Sequence, residues 1–98
     1  MAEPGFHPAA LREYLAAVDW YRQRNRGAAV RFAAEVDRIQ LRIGVQPDRY
    51  GWYDDDFREA GLLRFPYSVV YRVGPSGDTL IVAVAHTSRE PGYWQDRV

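Results

Sequence analysis

The residues best suited to chemistry lie near the C-terminal end, in the stretch LIVAVAHTSREPGYWQDR at residues 80–97. A run of strand-forming residues ends at His86, and the segment after it carries four side chains with binding or acid–base capacity: Arg89, Tyr93, Trp94 and Arg97. Histidine is the side chain that most readily exchanges a proton near neutral pH, and arginine binds phosphate and carboxylate groups. We therefore expect a buried strand that ends at a polar cluster. This cluster either catalyses the cleavage of a ligand or only binds it.

Each of these side chains also has a purely structural interpretation. A histidine at a strand end is often only a hydrogen-bonded part of the fold, and Tyr93 and Trp94 can pack the C-terminal turn back onto the sheet edge. The two arginines can pair with neighbouring acids, Glu90 and Asp96, or with a backbone carbonyl. The sequence leaves both interpretations open.

A second group of candidates lies in the loop DRYGWYDDD at residues 48–56. Its aromatic side chains are of the types enriched at binding hot spots, although they can equally close one end of the core. On the first interpretation, the candidate partner-binding residues of the whole chain are Tyr50, Trp52, Tyr53, Trp94 and Arg97.

The composition predicts one folded domain over residues 1–98. The chain is 47% hydrophobic and 14% aromatic, with 13 basic and 13 acidic residues, which is typical of a globular protein. All basic residues are arginine, and a formal net charge of zero gives no overall attraction to nucleic acid. The N-terminus lacks the features of a signal peptide, and no run approaches the roughly 20 apolar residues that span a bilayer. We expect a cytoplasmic protein without membrane association.

No cofactor or metal site is expected. The chain has no cysteine and only two histidines, His7 and His86, which makes a zinc site improbable. The aspartates at residues 54–56 lack the alternating spacing and the glycine of a calcium loop. No glycine-rich phosphate loop follows a strand, and no serine lies in a nucleophile elbow.

Two helices are predicted before the aspartate run. Pro8 favours a helix start after a short extended segment, and the spacing of Leu11, Leu15 and Val18 continues the helix to about residue 24. Tyr14, Val18 and Tyr21 form an adjoining ridge of the same helix.

A stop is predicted at residues 25–27, where Gly27 can take a positive φ. The second helix, from Ala28 to a close at Gly44 and Pro47, carries the clearest apolar stripe of the sequence: Phe32, Val36, Ile39 and Ile43. So short a connection predicts an antiparallel helical hairpin.

Three strands are predicted after the loop, at residues 57–64, 67–73 and 79–86, joined by turns at residues 65–66 and 74–77. In the middle strand, alternation separates an apolar face from a face that carries Arg72. The hairpin is the available cover for the apolar face, so the predicted fold is a two-layer α+β domain of order β-α-α-β-β-β with a short C-terminal turn or helix. The opposite face, with Arg72 and Arg64, is predicted to be open.

The order and spacing of these elements resemble the RelE/ParE superfamily of bacterial type II toxins. The resemblance rests on the hairpin followed by RFPY at residue 64, VYRV at residue 70, VAH at residue 84 and REPGYW at residue 89, and it covers residues 6–97. It implies a toxin bound by a cognate antitoxin as a heterodimer or a higher hetero-oligomer.

The resemblance implies two possible targets, because RelE-like members cleave ribosome-bound messenger RNA and ParE-like members inhibit DNA gyrase. The two branches share a fold, so the fold alone cannot choose between them. A nuclease would be a metal-independent endoribonuclease, and the positions that match such enzymes in kind are Arg64, Arg72, His86, Arg89 and Tyr93.

Zero net charge and the absence of lysine favour the ParE-like gyrase inhibitor, since binding by neutralisation of phosphates would be weak. The first alternative is a RelE-like messenger RNA endoribonuclease. The second is a non-toxic remnant that keeps the fold only to bind a partner.

Overall fold

The computed structural model describes residues 4–98. Residues 1–3 lie outside the described part. The prediction that the N-terminus has no signal-peptide features concerns these residues among others. The chain forms β1 (Gly5–Phe6), α1 (Pro8–Arg24), α2 (Arg26–Val45), β2 (Arg58–Gly61), β3 (Tyr67–Val73), β4 (Thr79–His86) and a 3-10 helix (Gln95–Arg97). The predicted α+β fold, its element order and the short C-terminal turn are confirmed.

The connection between the two helices is shorter than predicted. Asn25 alone ends α1 and begins α2: its N–H donates to the Tyr21 carbonyl at 2.6 Å, and its side chain accepts from the Ala28 N–H at 3.1 Å. The stop predicted at residues 25–27 is therefore present at Asn25, but Gly27 lies inside α2 and does not take a positive φ. One asparagine suffices because its side chain satisfies a free N–H at the start of α2.

The apolar stripe of α2 is buried as predicted, with Phe32, Val36, Ile39 and Ile43 between 0% and 6% exposed. In α1 the buried face is rotated relative to the predicted leucine stripe. Leu11 and Leu15 are 43% and 54% exposed, whereas the ridge of Tyr14, Val18 and Tyr21 packs against the core. Two small buried residues of α1, Ala10 and Ala17, face the core beside this ridge.

The four strands form one sheet in the order β1-β4-β3-β2, in which β1 is parallel to β4 and the other neighbours are antiparallel. Strand β2 ends at Gly61, short of the predicted residue 64. Beyond it, the Leu63 N–H donates to the Glu35 carboxylate of α2 at 2.9 Å instead of to a strand. Arg64 therefore lies in the β2–β3 turn, and its predicted place on the sheet was wrong.

The face of the sheet away from the helices is not open along its length, which corrects the sequence-based expectation. A second apolar cluster forms there from Phe57, Val70, Val82, Ala83, Ala85 and Trp94. Trp94 is only 3% exposed, because the C-terminal turn folds back over the sheet. The turn that follows β4 is thereby held against the sheet.

Candidate functional site

Glu13 of α1 is the residue around which the C-terminal turn is organised. Its side chain is 15% exposed, and its carboxylate accepts four hydrogen bonds. The donors are the Val84 N–H at 3.0 Å, the Tyr93 hydroxyl at 2.7 Å and the two terminal nitrogens of Arg97 at 3.1 and 2.9 Å. One carboxylate thus joins α1, β4 and the last residues of the chain.

The Glu13–Arg97 pair also covers part of the edge of β4. Among the described residues, strand β1 pairs with Leu80 and Ile81, and no strand of residues 4–98 lies beside the edge of β4 beyond this pair. Arg97 donates to the Val82 carbonyl at 2.8 Å, and Glu13 accepts from the Val84 N–H. Two side chains therefore satisfy backbone groups that a further strand would otherwise bond.

The network shifts the acidity of its members. Burial alone would raise the pKa of Glu13, but hydrogen bonds from Arg97, Tyr93 and Val84 outweigh it and hold the pKa below its ordinary value of 4.5. Burial, reinforced by the hydrogen bond to the Glu13 carboxylate, raises the pKa of the Tyr93 hydroxyl far above its ordinary value. The Tyr93 hydroxyl therefore stays protonated and engaged as a donor.

The structure brings together three of the five residues proposed for a nuclease. His86, Arg89 and Tyr93 line a pocket of about 180 Å3 on the sheet face away from the helices. Arg72 lies elsewhere, in a cleft beside Trp52 and the aspartate loop. Arg64 is exposed in the β2–β3 turn and lines neither of these cavities.

The local contacts of His86 and Arg89 restrict what they can do. The Nδ1 atom of His86 accepts from the Ser88 N–H at 3.0 Å and lies 2.8 Å from the Ser88 hydroxyl oxygen. In the neutral ring the proton is therefore on Nε2. The guanidinium of Arg89 lies 3.9 Å above the ring of Tyr93. The pocket offers one ring that can exchange a proton and one cation stacked on an aromatic ring.

The candidate partner-binding residues separate into exposed and packed side chains. Trp52 is 61% exposed, and the guanidinium of Arg58 lies 3.9 Å from its ring. Tyr50 and Tyr53 are half-buried, in edge contacts with Tyr71 and Trp94 respectively. Trp94 is a core residue, and the Arg97 guanidinium is held by Glu13. Of the five, Trp52 offers the largest exposed fraction to a partner.

A larger groove runs between α1 and the edge of β4, and we call it the α1–β4 groove. It has a volume of about 460 Å3, and its lining includes Ala16, Trp20, Pro66, Val84, His86 and Arg89. Trp20 is 49% exposed, so the groove has an accessible aromatic wall. Its volume lies in the range of about 300–1,000 Å3 that is typical of ligand clefts.

The sequence analysis did not identify Glu13 as a functional or structural residue. Its partners Tyr93 and Arg97 are 80 and 84 residues away in the chain, and no local spacing signals such a contact. The only hint is an acidic side chain on the first helix close to its core-facing ridge. The alternative interpretation of Tyr93 and Trp94, as residues that fold the C-terminal turn back, matches their contacts.

Residues 4–98 contain neither a metal-binding cluster nor a helix that could span a membrane. No group of three or more histidine, aspartate and glutamate side chains is placed to hold a metal ion. None of the helices in this part of the chain is long and apolar enough to cross a membrane.

Comparisons with known proteins agree with this geometry. A chain from the structure titled "Chromosomal ParDE TA system from P. aeruginosa" superposes with a TM-score of 0.72 at 16% identity and covers 88% of this chain and 96% of its own length. At that identity, the likeness shows a shared fold. No curated protein matches the sequence. The family model described as "ParE toxin of type II toxin-antitoxin system, parDE" matches residues 5–91. The chain therefore belongs to the ParE toxin family of type II toxin–antitoxin systems.

Proposed function

We propose that this toxin acts in the cytoplasm as an inhibitor of DNA gyrase, is neutralised by a cognate antitoxin, and is not a messenger RNA endoribonuclease. The observation that carries the choice of target is the engagement of the Tyr93 hydroxyl by Glu13 at 2.7 Å. Cleavage of RNA through the 2′-hydroxyl requires a base, an acid and cations placed around one phosphate. Here the Tyr93 hydroxyl, the candidate acid, is partly buried and bound to the Glu13 carboxylate, and both its burial and this hydrogen bond raise its pKa.

The distribution of arginines supports the same choice. Arg89 is stacked on Tyr93, Arg72 lies in a separate cleft, and Arg64 lies in a turn. None of the cavities described above is lined by more than one of these three arginines. With zero net charge, the chain also lacks the general phosphate affinity of proteins that bind nucleic acid.

Exposed apolar side chains on the helices support a protein partner. Leu11 and Leu15 on α1 and Leu41 and Val45 on α2 are between 43% and 67% exposed. Apolar surface of this kind is commonly covered by another protein. An antitoxin that covers it would gain free energy from burial and could at the same time block the surface that contacts the target.

The target is tested by inducing the toxin alone in a bacterial host. We expect DNA breaks and filamentation while translation continues. Purified toxin should also increase gyrase-dependent DNA cleavage or reduce supercoiling. Rapid loss of translation with mapped messenger cleavage would overturn the gyrase assignment. Unimpaired growth would favour the non-toxic remnant of the fold.

A substitution at His86 separates the two chemistries within one protein. His86→Gln removes the ring that can exchange a proton, and its side-chain oxygen can still accept the Ser88 N–H. A gyrase inhibitor should keep its toxicity in this variant, whereas a nuclease should lose cleavage at unchanged thermal stability. Thr87→Ala, which alters the exposed neighbouring residue, serves as the control for local disturbance.

A further inference from the structure

Four exposed arginines surround one contact on the side of α2, and we call this region the α2 arginine surface. At its centre the Leu63 N–H donates to the buried Glu35 carboxylate at 2.9 Å. Three arginines of α2 lie four residues before, three after and seven after Glu35, spacings that place them on the same face of the helix. A fourth follows Leu63 directly in the chain. The members of the surface are Arg31, Arg38, Arg42 and Arg64.

The positive charge of this surface is not neutralised by the described part of the chain. The ion pairs, arginine hydrogen bonds and cation–π contacts found among residues 4–98 include none of the four arginines. The acid at the centre, Glu35, is buried and already accepts from Leu63. Burial, with a further contribution from Asp37, raises the pKa of Tyr14, so Asp37 lies on the side of α2 that faces α1.

The zero net charge of the chain conceals an uneven distribution of charge. Residues 50–98 hold seven acidic residues and five arginines, whereas residues 1–49 hold eight arginines and six acidic residues. Two of those six acids, Glu13 and Glu35, are engaged in hydrogen bonds with other parts of the fold. The helical part of the chain therefore attracts anions locally, although the chain as a whole has no general affinity for them.

The arrangement of the arginines suits a ligand with a row of phosphate groups. Arg31 and Arg42 are about 16.5 Å apart along the helix axis, and Arg38 lies between them. Guanidinium groups bind phosphate through two parallel hydrogen bonds. Duplex DNA carries one negative charge per about 1.7 Å of its axis, twice the density of one of its strands. Of the common polyanions, a duplex thus presents a dense row of phosphates to this surface.

The apolar side chain at the centre of the surface also fits a duplex better than a lipid membrane. Leu63 is 87% exposed and precedes Arg64. Proteins that bind in the grooves of DNA place leucine and similar side chains against the bases. A membrane requires more apolar surface, because even a complete myristoyl chain gives only marginal membrane binding.

We propose that the α2 arginine surface binds the phosphate backbone of duplex DNA, namely the DNA that gyrase holds while the toxin is bound to the enzyme. Four contacts give low affinity by themselves. Low affinity suffices for a protein that gyrase already holds beside DNA, because tethering raises the effective concentration to the millimolar range. The role of gyrase rests on the proposed function, whereas the DNA contact rests on the four arginines. None of them lines the pocket of His86, Arg89 and Tyr93, so the contact requires no nuclease chemistry.

The test measures binding of the purified toxin to a fluorescently labelled DNA duplex by fluorescence anisotropy. Neutralisation of four phosphates predicts a slope of about −3.6 for the logarithm of the association constant against the logarithm of the salt concentration. Between about 50 and about 200 mM salt, this slope is a decrease in affinity of about 150-fold. Arg38→Gln and Arg64→Gln should each change the slope to about −2.7, and the double variant should have a slope of about −1.8.

Arg12→Gln is the matched control, because it removes the same charge at a position outside the surface. Arg12 is an exposed residue of α1, and the ion pairs found among residues 4–98 do not include it. This variant should keep the slope of about −3.6. All the substituted side chains are exposed, so thermal unfolding should be the same in every variant. Equal slopes for Arg38→Gln, Arg64→Gln and Arg12→Gln would overturn the inference.

Other partners would give different results. Tighter binding to a single-stranded RNA of equal length than to the duplex would overturn duplex DNA as the ligand. Tighter binding to vesicles of phosphatidylglycerol and phosphatidylcholine would do the same. If the double variant lost antitoxin binding and kept the wild-type slope with DNA, the surface would belong to the antitoxin interface and the inference would fail.

Gyrase assays distinguish a failure of this inference from a failure of the proposed function. The double variant should bind gyrase as the wild type does in the absence of DNA, but it should need about fivefold or more of the wild-type concentration to affect gyrase-dependent DNA cleavage. Equal potency of the two proteins would overturn the inference and leave gyrase inhibition intact. A wild-type toxin that binds DNA with the expected slope but does not affect gyrase would overturn the proposed function, and the DNA contact would remain.

Discussion

Glu13→Ala is the substitution that most directly tests how the C-terminal turn is held. It removes the acceptor of four hydrogen bonds, leaves the Val84 N–H and the Tyr93 hydroxyl without their partner, and leaves the Arg97 guanidinium with the Val82 carbonyl alone. Loss of one member of a fully buried ion pair costs about 3–5 kcal/mol, and loss of an exposed pair costs about 0–1 kcal/mol. The Glu13 and Arg97 side chains are 15% and 17% exposed, so we expect a loss of about 2–3 kcal/mol in the free energy of unfolding.

The chain contains a matched control for this prediction. Asp19 and Arg22 of α1 form an ion pair with the same 2.9 Å separation, but their side chains are 52% and 60% exposed. Asp19→Ala should therefore change the free energy of unfolding by no more than about 1 kcal/mol. Because the ion-pair distance is the same in both pairs, the difference in free energy of unfolding between the two variants measures the effect of burial and of the additional hydrogen bonds.

The assay is urea unfolding at neutral pH, followed by far-ultraviolet circular dichroism, with thermal unfolding as a second measurement. For a domain of this size, a loss of about 2–3 kcal/mol corresponds to a decrease in melting temperature of about 8–24 °C. Glu13→Gln should be less destabilising than Glu13→Ala, because its amide oxygen still accepts hydrogen bonds. Equal free energies for Glu13→Ala and Asp19→Ala would refute the conclusion that Glu13 anchors the C-terminal turn.

Glu13, Phe32 and Trp52 provide three further predictions. The lowered pKa of Glu13 contributes stability that is present above its ordinary value of 4.5 and is lost as the pH falls through the lowered folded-state value, and Glu13→Gln should remove this part of the acid dependence in unfolding measured from pH 7 to pH 2. Phe32→Ala should cost about 3–5 kcal/mol in urea unfolding, because the side chain is fully buried between the helices and the sheet, and a near-neutral result would contradict that packing. Trp52→Ala should change stability by less than about 1 kcal/mol because the ring is exposed, and weaker antitoxin or gyrase binding in a titration would identify it as a contact residue, whereas unchanged binding to both would remove it from the interface.

The fold was largely predictable because its signals are local. The stripe of Phe32, Val36, Ile39 and Ile43 has helical spacing, and all four side chains are buried. The bounds of β3 and β4 agree with the predicted runs, since both strands are bounded by proline- or glycine-containing turns. The errors occurred where local signals were ambiguous. Asn25 could end one helix and begin the next without help from Gly27, and leucines at helical spacing in α1 did not show which side faces the core.

The candidate site was only partly predictable. The sequence pointed to His86, Arg89 and Tyr93, and the structure places them around one pocket. It did not show that the Tyr93 hydroxyl is bound to Glu13, or that Arg64 and Arg72 lie apart from that pocket.

The sequence by itself determined the element order, the α+β class and the polar segment after the last strand, because periodicity and turn residues act over a few positions. Only the tertiary structure decided how that segment is used. It placed Glu13 against Tyr93 and Arg97 from the other end of the chain. Contacts between residues some 80 positions apart depend on how the layers pack, and no local pattern encodes that packing.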